Sequence, residues 1–267
     1  MAKPLKILVL PDAQVKPDED LAFLHCQGEY IIDKKPDVIV CIGDFADMQS
    51  LSSYDKGKRS YEGRRYKNDI EAAHTGMKIL LNPMRLYNNK QVKKGNPLYH
   101  PRMVMTLGNH EHRINRAIDI EPMLYGTLST DDLGYNGFGW EEHRYQEVVV
   151  INGIAFSHNF PVKNSPAIIS TTVNLMNKKH MSCVAGHQQG LQMTMGTRGD
   201  GKLMTCIIAG SSYDHDEDYL GPHGNAHWRG IIMLHGCEDG EFDPVVIPNK
   251  YLKQKYNPEG NKFILCP

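Results

Sequence analysis

Polar side chains that can bind a metal ion stand directly after several apolar runs of this 267-residue sequence. The residues concerned are Asp12, Asp44, Asn109, His110, His158 and His187. A mixture of carboxylate, amide and imidazole ligands suits a divalent metal of intermediate hardness. The pattern therefore predicts a metal site, provided that the fold brings these side chains together.

The apolar runs have the composition of buried β-strands, because they are rich in β-branched residues and bounded by Pro, Gly or Asp. They lie at 6–12, 37–44, 102–109, 147–153, 153–159 and 182–187. In α/β sheets, ligands bind beyond the carboxyl ends of the strands, where loops converge. We therefore expect the polar side chains to meet in one cleft.

Helical patterns separate several of these strands. The first covers 18–33, with Asp18 as its expected N-cap, and weaker patterns cover 67–82 and 165–178. Alternation of strands and helices indicates an α/β fold with a mixed or parallel sheet and covering helices.

From about residue 190 the pattern changes to hairpins around the Gly199–Gly201 and Asp239–Gly240 turns. We expect two packed sheets flanked by helices, in a single domain over 1–267. A basic insertion is expected at about 50–100, and a hairpin-rich part from about 190.

Taken singly, most of the polar residues have ordinary structural roles. Asp12 alone is better interpreted as a turn former, and His158 alone as a hydrogen-bonded core residue. The ordered set is different, because a Gly-Asn-His-acid tetrad at 108–111 is rare by chance. It also lies between a strand-terminal Gly-Asp at 43–44 and a strand-terminal Gly-His at 186–187. We therefore interpret the set as functional.

The order DAQ (12–14), GDFAD (43–47), GNHE (108–111), His158 and GHQQ (186–189) resembles the calcineurin-like metallophosphoesterase superfamily. The pattern of that family is D-x-H, G-D-x-x-D, G-N-H-[DE], H and G-H-x-H. The resemblance implies a four-layer αββα sandwich, with two mixed sheets flanked by helices and two divalent metal ions at the strand ends. It also implies hydrolysis of a phosphomonoester or phosphodiester by direct attack of a metal-bound hydroxide.

The resemblance assigns a role to each matching position. Asp44 would bridge the two metals, and His110 would protonate the leaving group or steady the charged transition state, with Asp47 holding its imidazole. The remaining ligands would be Asn109, His158 and His187 for one metal, and Asp12, Gln14 and Gln189 for the other.

Two histidines of the family pattern are glutamines here, Gln14 and Gln189, and both fall on the same metal. An amide oxygen is a weaker ligand than imidazole for zinc or iron and is compatible with Mn²⁺, Mg²⁺ or Ca²⁺. Either the altered site is oxygen-rich and fills weakly, or it is empty and the protein uses one metal or none. We favour the first hypothesis, with Mn²⁺ ahead of Mg²⁺, Zn²⁺, Fe or Ca²⁺, because His110 and Asp47 are both present.

Residues 50–100 hold eleven Lys or Arg against four Asp or Glu. The cluster KGKRSYEGRRYK at 56–67 is either a solvated loop or a surface that binds phosphate. In the second case its arginines would contact phosphates while Tyr61 and Tyr66 stack on bases. We expect a nucleotide or nucleic-acid substrate, bound by Arg59, Arg64, Arg65 and Arg113.

Protein phosphatases of the superfamily carry arginine at the positions of Met48 and Leu107. Arg113 is a candidate substitute, and the departure favours a phosphodiesterase or nuclease-like activity. The alternatives are a phosphomonoesterase, a catalytically degenerate binding or scaffold module on the same fold, and a nucleic-acid-binding protein without chemistry.

The loop-like segment 211–230 carries His215, His223 and His227, which are either exposed bystanders, part of a substrate lid or a replacement metal ligand. Composition adds little, since the formal net charge is −1 and the isoelectric point about 6.9. Six cysteines show no CxxC or other paired spacing, and the apolar run near the N-terminus is too short for a signal sequence. We expect a reduced cytoplasmic protein with no membrane partner.

Overall fold

Two mixed β-sheets, flanked by helices, make up the protein in a computed structural model that describes residues 3–217 and 221–263. The strands are β1 (Leu5–Leu10), β2 (Val38–Cys41), β3 (Arg102–Thr106), β4 (Glu141–His143), β5 (Val149–Ile151), β6 (Ile154–Ser157), β7 (Cys183–Ala185), β8 (Gln192–Thr197), β9 (Leu203–Ile208), β10 (Gly230–Glu238) and β11 (Glu241–Pro248). The helices are α1 (Ala22–Lys34), α2 (Tyr66–Lys94), α3 (Arg113–Ile120), α4 (Thr172–Lys179), α5 (Gly221–Gly224) and α6 (Asn249–Tyr256). Short 3₁₀ turns occupy Gln49–Leu51, Arg59–Tyr61, Pro122–Leu124, Thr130–Leu133 and Tyr135–Phe138.

The six-stranded sheet has the order β11-β10-β1-β2-β3-β4. Strands β1 to β4 run parallel, and β10 joins β1 antiparallel and carries the β11 hairpin. The five-stranded sheet has the order β5-β6-β7-β9-β8, with β6, β7 and β9 parallel and antiparallel strands at both edges. Because β1, β2 and β3 run in one direction, their carboxyl ends lie at one edge of their sheet.

Alternate residues of the strands face different layers, as the period of two in a strand requires. In β1, Ile7 and Val9 belong to the apolar core between the sheets, whereas Leu8 and Leu10 face the core under the helices. In β9, Ile207 faces the inter-sheet core and Ile208 faces the core under α4. The predicted two-sheet sandwich with flanking helices is therefore confirmed.

Helices α1 and α2 pack closely in the outer layer on the six-stranded sheet. A side chain at Gly28 of α1 would meet the backbone carbonyl of Leu80 and the ring of Pro83 in α2. Pro83 lies inside α2, which continues to Lys94. The helix predicted over 67–82 is therefore present but extends further at its C-terminal end, through a proline that is unfavourable inside a helix.

The N-cap expected at Asp18 is wrong. Helix α1 begins at Ala22, and the carboxylate of Asp20, not Asp18, accepts a hydrogen bond from its backbone N–H at 3.0 Å. Asp18 instead has a left-handed backbone, with φ at 67°. The predicted helix over 165–178 is shorter, since α4 begins at Thr172 after a loop.

The described cysteines are Cys26, Cys41, Cys183, Cys206 and Cys237, and all five are buried and unpaired. Cys266 lies outside the described residues. Among the helices of the described ranges, none has the length and apolar character needed to cross a membrane.

Candidate metal centre

The loops that follow β1, β2, β3, β6 and β7 bring the polar side chains together at one end of the sandwich. The loop after β1 contacts the loop after β2, because the backbone N–H groups of Ala13 and Gln14 both donate to the carbonyl of Asp44. The loops after β6 and β7 are joined by a hydrogen bond from Gly186 N–H to the carbonyl of His158. The strand-end position of the ligands therefore places them in one cleft.

Four of these side chains converge on one point. Nε2 of His158 lies 3.3 Å from Oδ2 of Asp44 and 3.0 Å from Oδ1 of Asn109, which is itself 2.6 Å from Nδ1 of His187. Ligands bound about 2.1 Å from a single ion are roughly 3.0–3.4 Å apart. Asp44, His158 and His187 form a group of side chains able to hold a metal ion. We call these residues, together with Asn109, the first cluster.

The backbone fixes which ring nitrogen of His158 faces the first cluster. Its Nδ1 lies 2.9 Å from the carbonyl of Ile42, which can only accept, so Nδ1 carries a proton. A ligating histidine commonly donates its other ring N–H to a backbone carbonyl in this way. In the absence of a cation, burial lowers the pKa of His158 but the charge of Asp44 prevails and raises it to about 9.

Asp44 and His187, unlike His158, are held in the forms that a cation needs. Burial, and next the charge of His158, lower the pKa of His187 to about 4, so its imidazole is neutral near pH 7. Burial would raise the pKa of Asp44, but His110 and His158 hold it well below its usual range. A carboxylate and a neutral imidazole are the ligand forms of these groups.

Within the described residues, buried side-chain atoms of Asp12, Gln14 and Gln189 have no hydrogen-bond partner: Oδ2 of Asp12, Oε1 and Nε2 of Gln14, and Oε1 of Gln189. We call these three residues the second cluster. Burial raises the pKa of the Asp12 carboxyl to about 8, and the nearby Asp44 carboxylate adds to this effect. Buried polar atoms are rarely left without a partner, and a bound ion can supply the missing contact. The second cluster therefore fits an oxygen-binding cation.

His110 and Asp47 form an imidazole–carboxylate pair beside the clusters. Nδ1 of His110 lies 2.7 Å from Oδ1 of Asp47, and Nε2 lies 3.7 Å from Oδ2 of Asp44. Burial lowers the pKa of His110, and the charge of Arg113 lowers it further. The carboxylates of Asp44 and Asp47 outweigh both effects, so the pKa is raised. Burial would raise the pKa of Asp47, but its hydrogen bond to His110 and the charge of Arg113 lower it to about 2. Asp47 is therefore an ionised carboxylate, and in this form it holds the imidazole of His110.

Arg113, the first residue of α3, contacts both members of this pair. Its Nη1 donates to the carbonyl of Asp47 at 2.7 Å, and its Nη2 lies 3.0 Å from Nε2 of His110. The side chain also lies 3.5 Å from the carbonyl of Met48, a position where the protein phosphatases carry arginine. Met48 and Leu107 are themselves buried.

Glu111, the acid of the GNHE motif, joins the loops that carry the ligands. Its carboxylate accepts hydrogen bonds from the backbone N–H groups of Asp44, Ala46 and Gly108 at 3.0, 2.9 and 2.8 Å. The side chain is fully buried, and the hydroxyl of Tyr135 donates to it at 3.3 Å. Glu111 therefore fixes the loop after β2 to the loop after β3, a role that the sequence did not reveal.

Several of the predicted ligand residues have left-handed backbone conformations. Among non-glycine residues, φ is 41° at Gln14, 48° at Asp44 and 69° at His187. At Gly108, an added Cβ would overlap the carboxylate and backbone nitrogen of Asp44. The close approach of the loops after β2 and β3 therefore requires glycine at this position.

Two adjoining cavities open beside the clusters. The inner cavity, of about 460 Å³, is lined by Asp47, Asn109, His110, Arg113 and His187, and by residues of the basic stretch. The outer cavity, of about 730 Å³, continues away from the clusters. The residues that line both are Lys16, Gln49, Asp55, Lys58, Arg64 and Glu217.

The arginines of the basic stretch, residues 50–100, do not all line these cavities as expected. Arg64 lines both, Arg65 lines only the outer one, and Arg59 lines neither. Most of residues 50–100 belong to helix α2, so the stretch is largely helical.

Tyr61 and Tyr66, the tyrosines expected to stack on bases, line neither cavity. Their hydroxyls donate instead to the backbone carbonyls of Ser50 at 2.7 Å and Ser129 at 3.1 Å. These side chains therefore hold the surrounding loops, and the expected stacking role is not what the structure shows.

Among the described residues of the segment 211–230, Glu217 is the one that lines the inner cavity. It accepts a hydrogen bond from Lys16 at 2.9 Å, and the ring of His215 lies 2.7 Å from the same oxygen. Both ring nitrogens of His227 are engaged, with Gly224 and Ser211, and His223 is exposed. The structure gives His215 and His227 partners other than the metal clusters. The Lys16–Glu217 pair was not visible in the sequence, since its members are 201 residues apart.

The chain has relatives among phage proteins. The Gene 54 proteins of Mycobacterium phage L5 and Mycobacterium phage D29 are each 25% identical to it over 252 residues, covering 91% of this chain and 93% of theirs. Their names describe no activity. No protein-family model matches the chain.

A solved structure aligns with 91% of this chain and 99% of its own length, at a TM-score of 0.36 and 9% identity. Similarity of this degree bears on neither fold nor activity. The two-sheet α/β architecture is itself compatible with a metallophosphoesterase fold.

Proposed function

We propose that this protein is a divalent-metal-dependent phosphoester hydrolase of the calcineurin-like type, which acts on phosphodiesters of nucleotides or nucleic acid. The observation that carries the proposal is the His110–Asp47 pair, which lies 3.7 Å from Asp44 of the first cluster. A module that only bound a metal or a partner would have no use for an oriented acid beside its ligands. The pair therefore favours an enzyme over a scaffold.

The donor set fits two divalent cations, with Asp44, Asn109, His158 and His187 around one. Asp44, Asp12, Gln14 and Gln189 would hold the other, and this oxygen-rich set favours Mn²⁺ or Mg²⁺ over Zn²⁺. When bound, such a pair of cations lowers the pKa of a shared water and stabilises the oxygens of an in-line displacement. This chemistry requires the ligands to be deprotonated, which their surroundings favour for Asp44 and His187.

The residues of the chain would divide the remaining work. His110 would deliver a proton from Nε2 to the leaving oxygen, while Asp47 keeps the ring oriented through Nδ1. Arg113 would bind a phosphoryl oxygen once it leaves Nε2 of His110, because guanidinium groups match phosphate geometry. Glu111 and Gly108 would hold the loops after β2 and β3 close together.

The charge of the inner cavity supports a diester over a monoester. Lys16, Lys58 and Arg64 are paired with Glu217 or Asp55 at 2.9, 2.8 and 2.7 Å. Arg113 lies 3.3 Å from Asp47. A lining whose cations are already paired suits the single negative charge of a phosphodiester better than the double charge of a monoester. The outer cavity also provides room for a second substituent of the phosphate.

A reducing compartment such as the cytoplasm remains part of this proposal. A partner other than the substrate is not needed for the proposed chemistry.

Turnover of bis(p-nitrophenyl) phosphate and p-nitrophenyl phosphate should be measured with Mn²⁺, Mg²⁺, Zn²⁺ and Ca²⁺ in turn. We expect the diester to be the better substrate and Mn²⁺ the best metal. On a diester with an alkyl alcohol leaving group, which needs a proton to depart, His110→Ala should lower kcat, whereas His235→Ala, at an exposed position of β10, serves as the matched control. Absence of metal-dependent turnover on every ester, or a His110→Ala variant as active as the wild type on the alkyl diester, would contradict the proposal.

A further inference from the structure

Tyr54 is an exposed aromatic residue at the edge of the inner cavity. Its side chain lines that cavity together with His110, Arg113 and His187, yet the residue is 81% exposed. Tyrosine normally buries much of its ring, because the ring carries a large apolar surface. An exposed ring beside the clusters therefore offers apolar surface that a bound molecule can cover.

The residues on both sides of Tyr54 are anchored. Ser52 is buried, at 3% exposure, and its N–H donates to the carbonyl of Gln49 at 3.2 Å. The carboxylate of Asp55 accepts hydrogen bonds from Arg64 at 2.7 Å and Lys58 at 2.8 Å. Tyr54 is thus presented from a loop that is fixed two residues before it and directly after it.

The arginine of this anchor is itself fixed. Arg64 donates a second hydrogen bond to the carbonyl of Gln49 at 3.2 Å, and its guanidinium lies 5.9 Å from the ring centre of Tyr61. Tyr61, which belongs to the basic cluster, thereby supports the loop, whereas Tyr54 lines the inner cavity. A loop held in advance loses little conformational entropy when a ligand binds against it.

The neighbours of Tyr54 define the kind of ligand. His110 and Arg113 line the same cavity, and they are the groups that would contact the scissile phosphate and its leaving oxygen. A ring next to a phosphate site matches a substrate in which a planar aromatic group lies next to the phosphate. Nucleotides have this arrangement, and aromatic side chains stack on bases whatever their sequence.

We infer that Tyr54 is a stacking platform for an unpaired nucleobase adjacent to the scissile phosphate. The inference rests on the proposed function and narrows its substrate class to nucleotide phosphodiesters whose base faces are accessible, which excludes bases stacked within a duplex.

The test compares two diesters that differ only in their bases: thymidylyl-thymidine, and the same deoxyribose diester with hydrogen in place of both bases. With Mn²⁺ present, Tyr54→Ala should lower kcat/KM for the dinucleotide by about 5-fold to 100-fold and leave the base-free diester unchanged. Tyr54→Phe should retain the wild-type preference, because stacking needs the ring and not the hydroxyl. Tyr125→Ala, at a residue that is 83% exposed and lines neither cavity, is the matched control.

An equal loss on both diesters, or no loss on either, would overturn the role of Tyr54. Equilibrium binding of thymidine monophosphate and deoxyribose 5-phosphate, measured by calorimetry, tests the same point without turnover. A wild type that hydrolyses neither diester yet binds thymidine monophosphate through Tyr54 would contradict the proposed function while retaining the stacking role. A wild type that binds both ligands equally would contradict the stacking role alone.

Discussion

Nη2 of Arg113 lies 3.0 Å from Nε2 of His110. A guanidinium group can only donate, so Nε2 accepts and the ring proton lies on Nδ1, toward Asp47. An acid that protonates the leaving group needs its proton on Nε2. In the proposed reaction, Arg113 must therefore leave His110 before the proton is transferred, and we expect the phosphate of the substrate to attract it away.

Replacing this arginine should have two separable effects. Arg113→Gln removes a charged hydrogen bond to the phosphate, which should lower kcat/KM by about 10-fold to 100-fold. The charge of Arg113 also lowers the pKa of His110, so its loss should raise that pKa. Because an acid is active while protonated, the alkaline limb of the kcat/KM profile should move to higher pH.

The matched control for Arg113 is Arg116→Gln, at an exposed position of the same helix, α3. The control should leave both kcat/KM and its pH profile unchanged. A profile for Arg113→Gln that coincides with the wild type would show that the guanidinium does not act on His110.

The assignment of His110 as the acid predicts a dependence on the leaving group. His110→Ala should slow hydrolysis of a diester with an alkyl alcohol leaving group by about 10²-fold to 10⁴-fold. The loss should be much smaller with p-nitrophenolate, which departs without a proton. Asp47→Asn should show the same trend with a smaller loss, since it alters the orientation of the ring and not the ring itself. Equal losses on both leaving groups would identify His110 as a phosphate ligand instead.

The two clusters should bind metal with different strength and selectivity. His187→Ala should abolish the tighter Mn²⁺ site, whereas Gln14→Ala with Gln189→Ala should remove only the weaker one. The double variant Gln14→His with Gln189→His supplies imidazoles, which should shift selectivity toward Zn²⁺. Metal content after dialysis, together with Mn²⁺ titration, measures both effects. Loss of all bound metal in the Gln14→Ala, Gln189→Ala variant would contradict the assignment of separate sites.

Asp69 in α2 should make stability depend on pH in the opposite sense to most acids. The residue is 1% exposed, and burial raises its pKa to about 6, although Ser50 N–H donates to it at 2.9 Å. The unfolded chain releases this proton near pH 4, so the folded state binds more protons between pH 4 and 6. The contribution of Asp69 to stability is therefore present below pH 4 and lost as pH rises through 6.

Asp69→Asn should remove the loss of stability that occurs in the wild type as pH rises through 6. Relative to the wild type, the variant should gain up to about 2–3 kcal/mol of unfolding free energy between pH 4 and pH 7. Urea unfolding of both proteins in the presence of a chelator measures the difference. Asp119→Asn, at an exposed residue of α3, is the control and should follow the wild type at every pH. A difference that does not change with pH would mean that Asp69 stays protonated or ionised throughout.

The strand-end ligands were predictable because a physical rule connects sequence to space. Residues that follow parallel strands must lie at one edge of a sheet, so Asp12, Asp44 and Asn109 had to be neighbours whatever the loops did. The parallel pair β6 and β7 does the same for His158 and His187 in the second sheet. Hydrophobic periodicity alone was sufficient for this part of the fold.

The contacts that complete the site were not predictable in this way. Glu111 binds backbone N–H groups as far as 67 residues away, and no side-chain pattern marks a backbone group as a partner. Tyr54 differs from Tyr61 only through tertiary contacts, since both lie in the same polar stretch. Helix α2 passes through Pro83 because its packing against Gly28 outweighs the local preference to stop.

Gln14, Asp44 and His187 have a left-handed backbone, which lowers stability, yet their side chains are needed for the proposed activity. Side chains other than glycine, asparagine and aspartate cost about 1 kcal/mol or more in this conformation. At Gln14 and His187, glycine or asparagine should therefore give a more stable protein in the absence of metal, and one without the proposed activity. Laboratory evolution that selects for melting temperature alone should thus replace the metal ligands early. Selection in the presence of Mn²⁺ should preserve them, because the bound ion stabilises only a chain that retains its ligands.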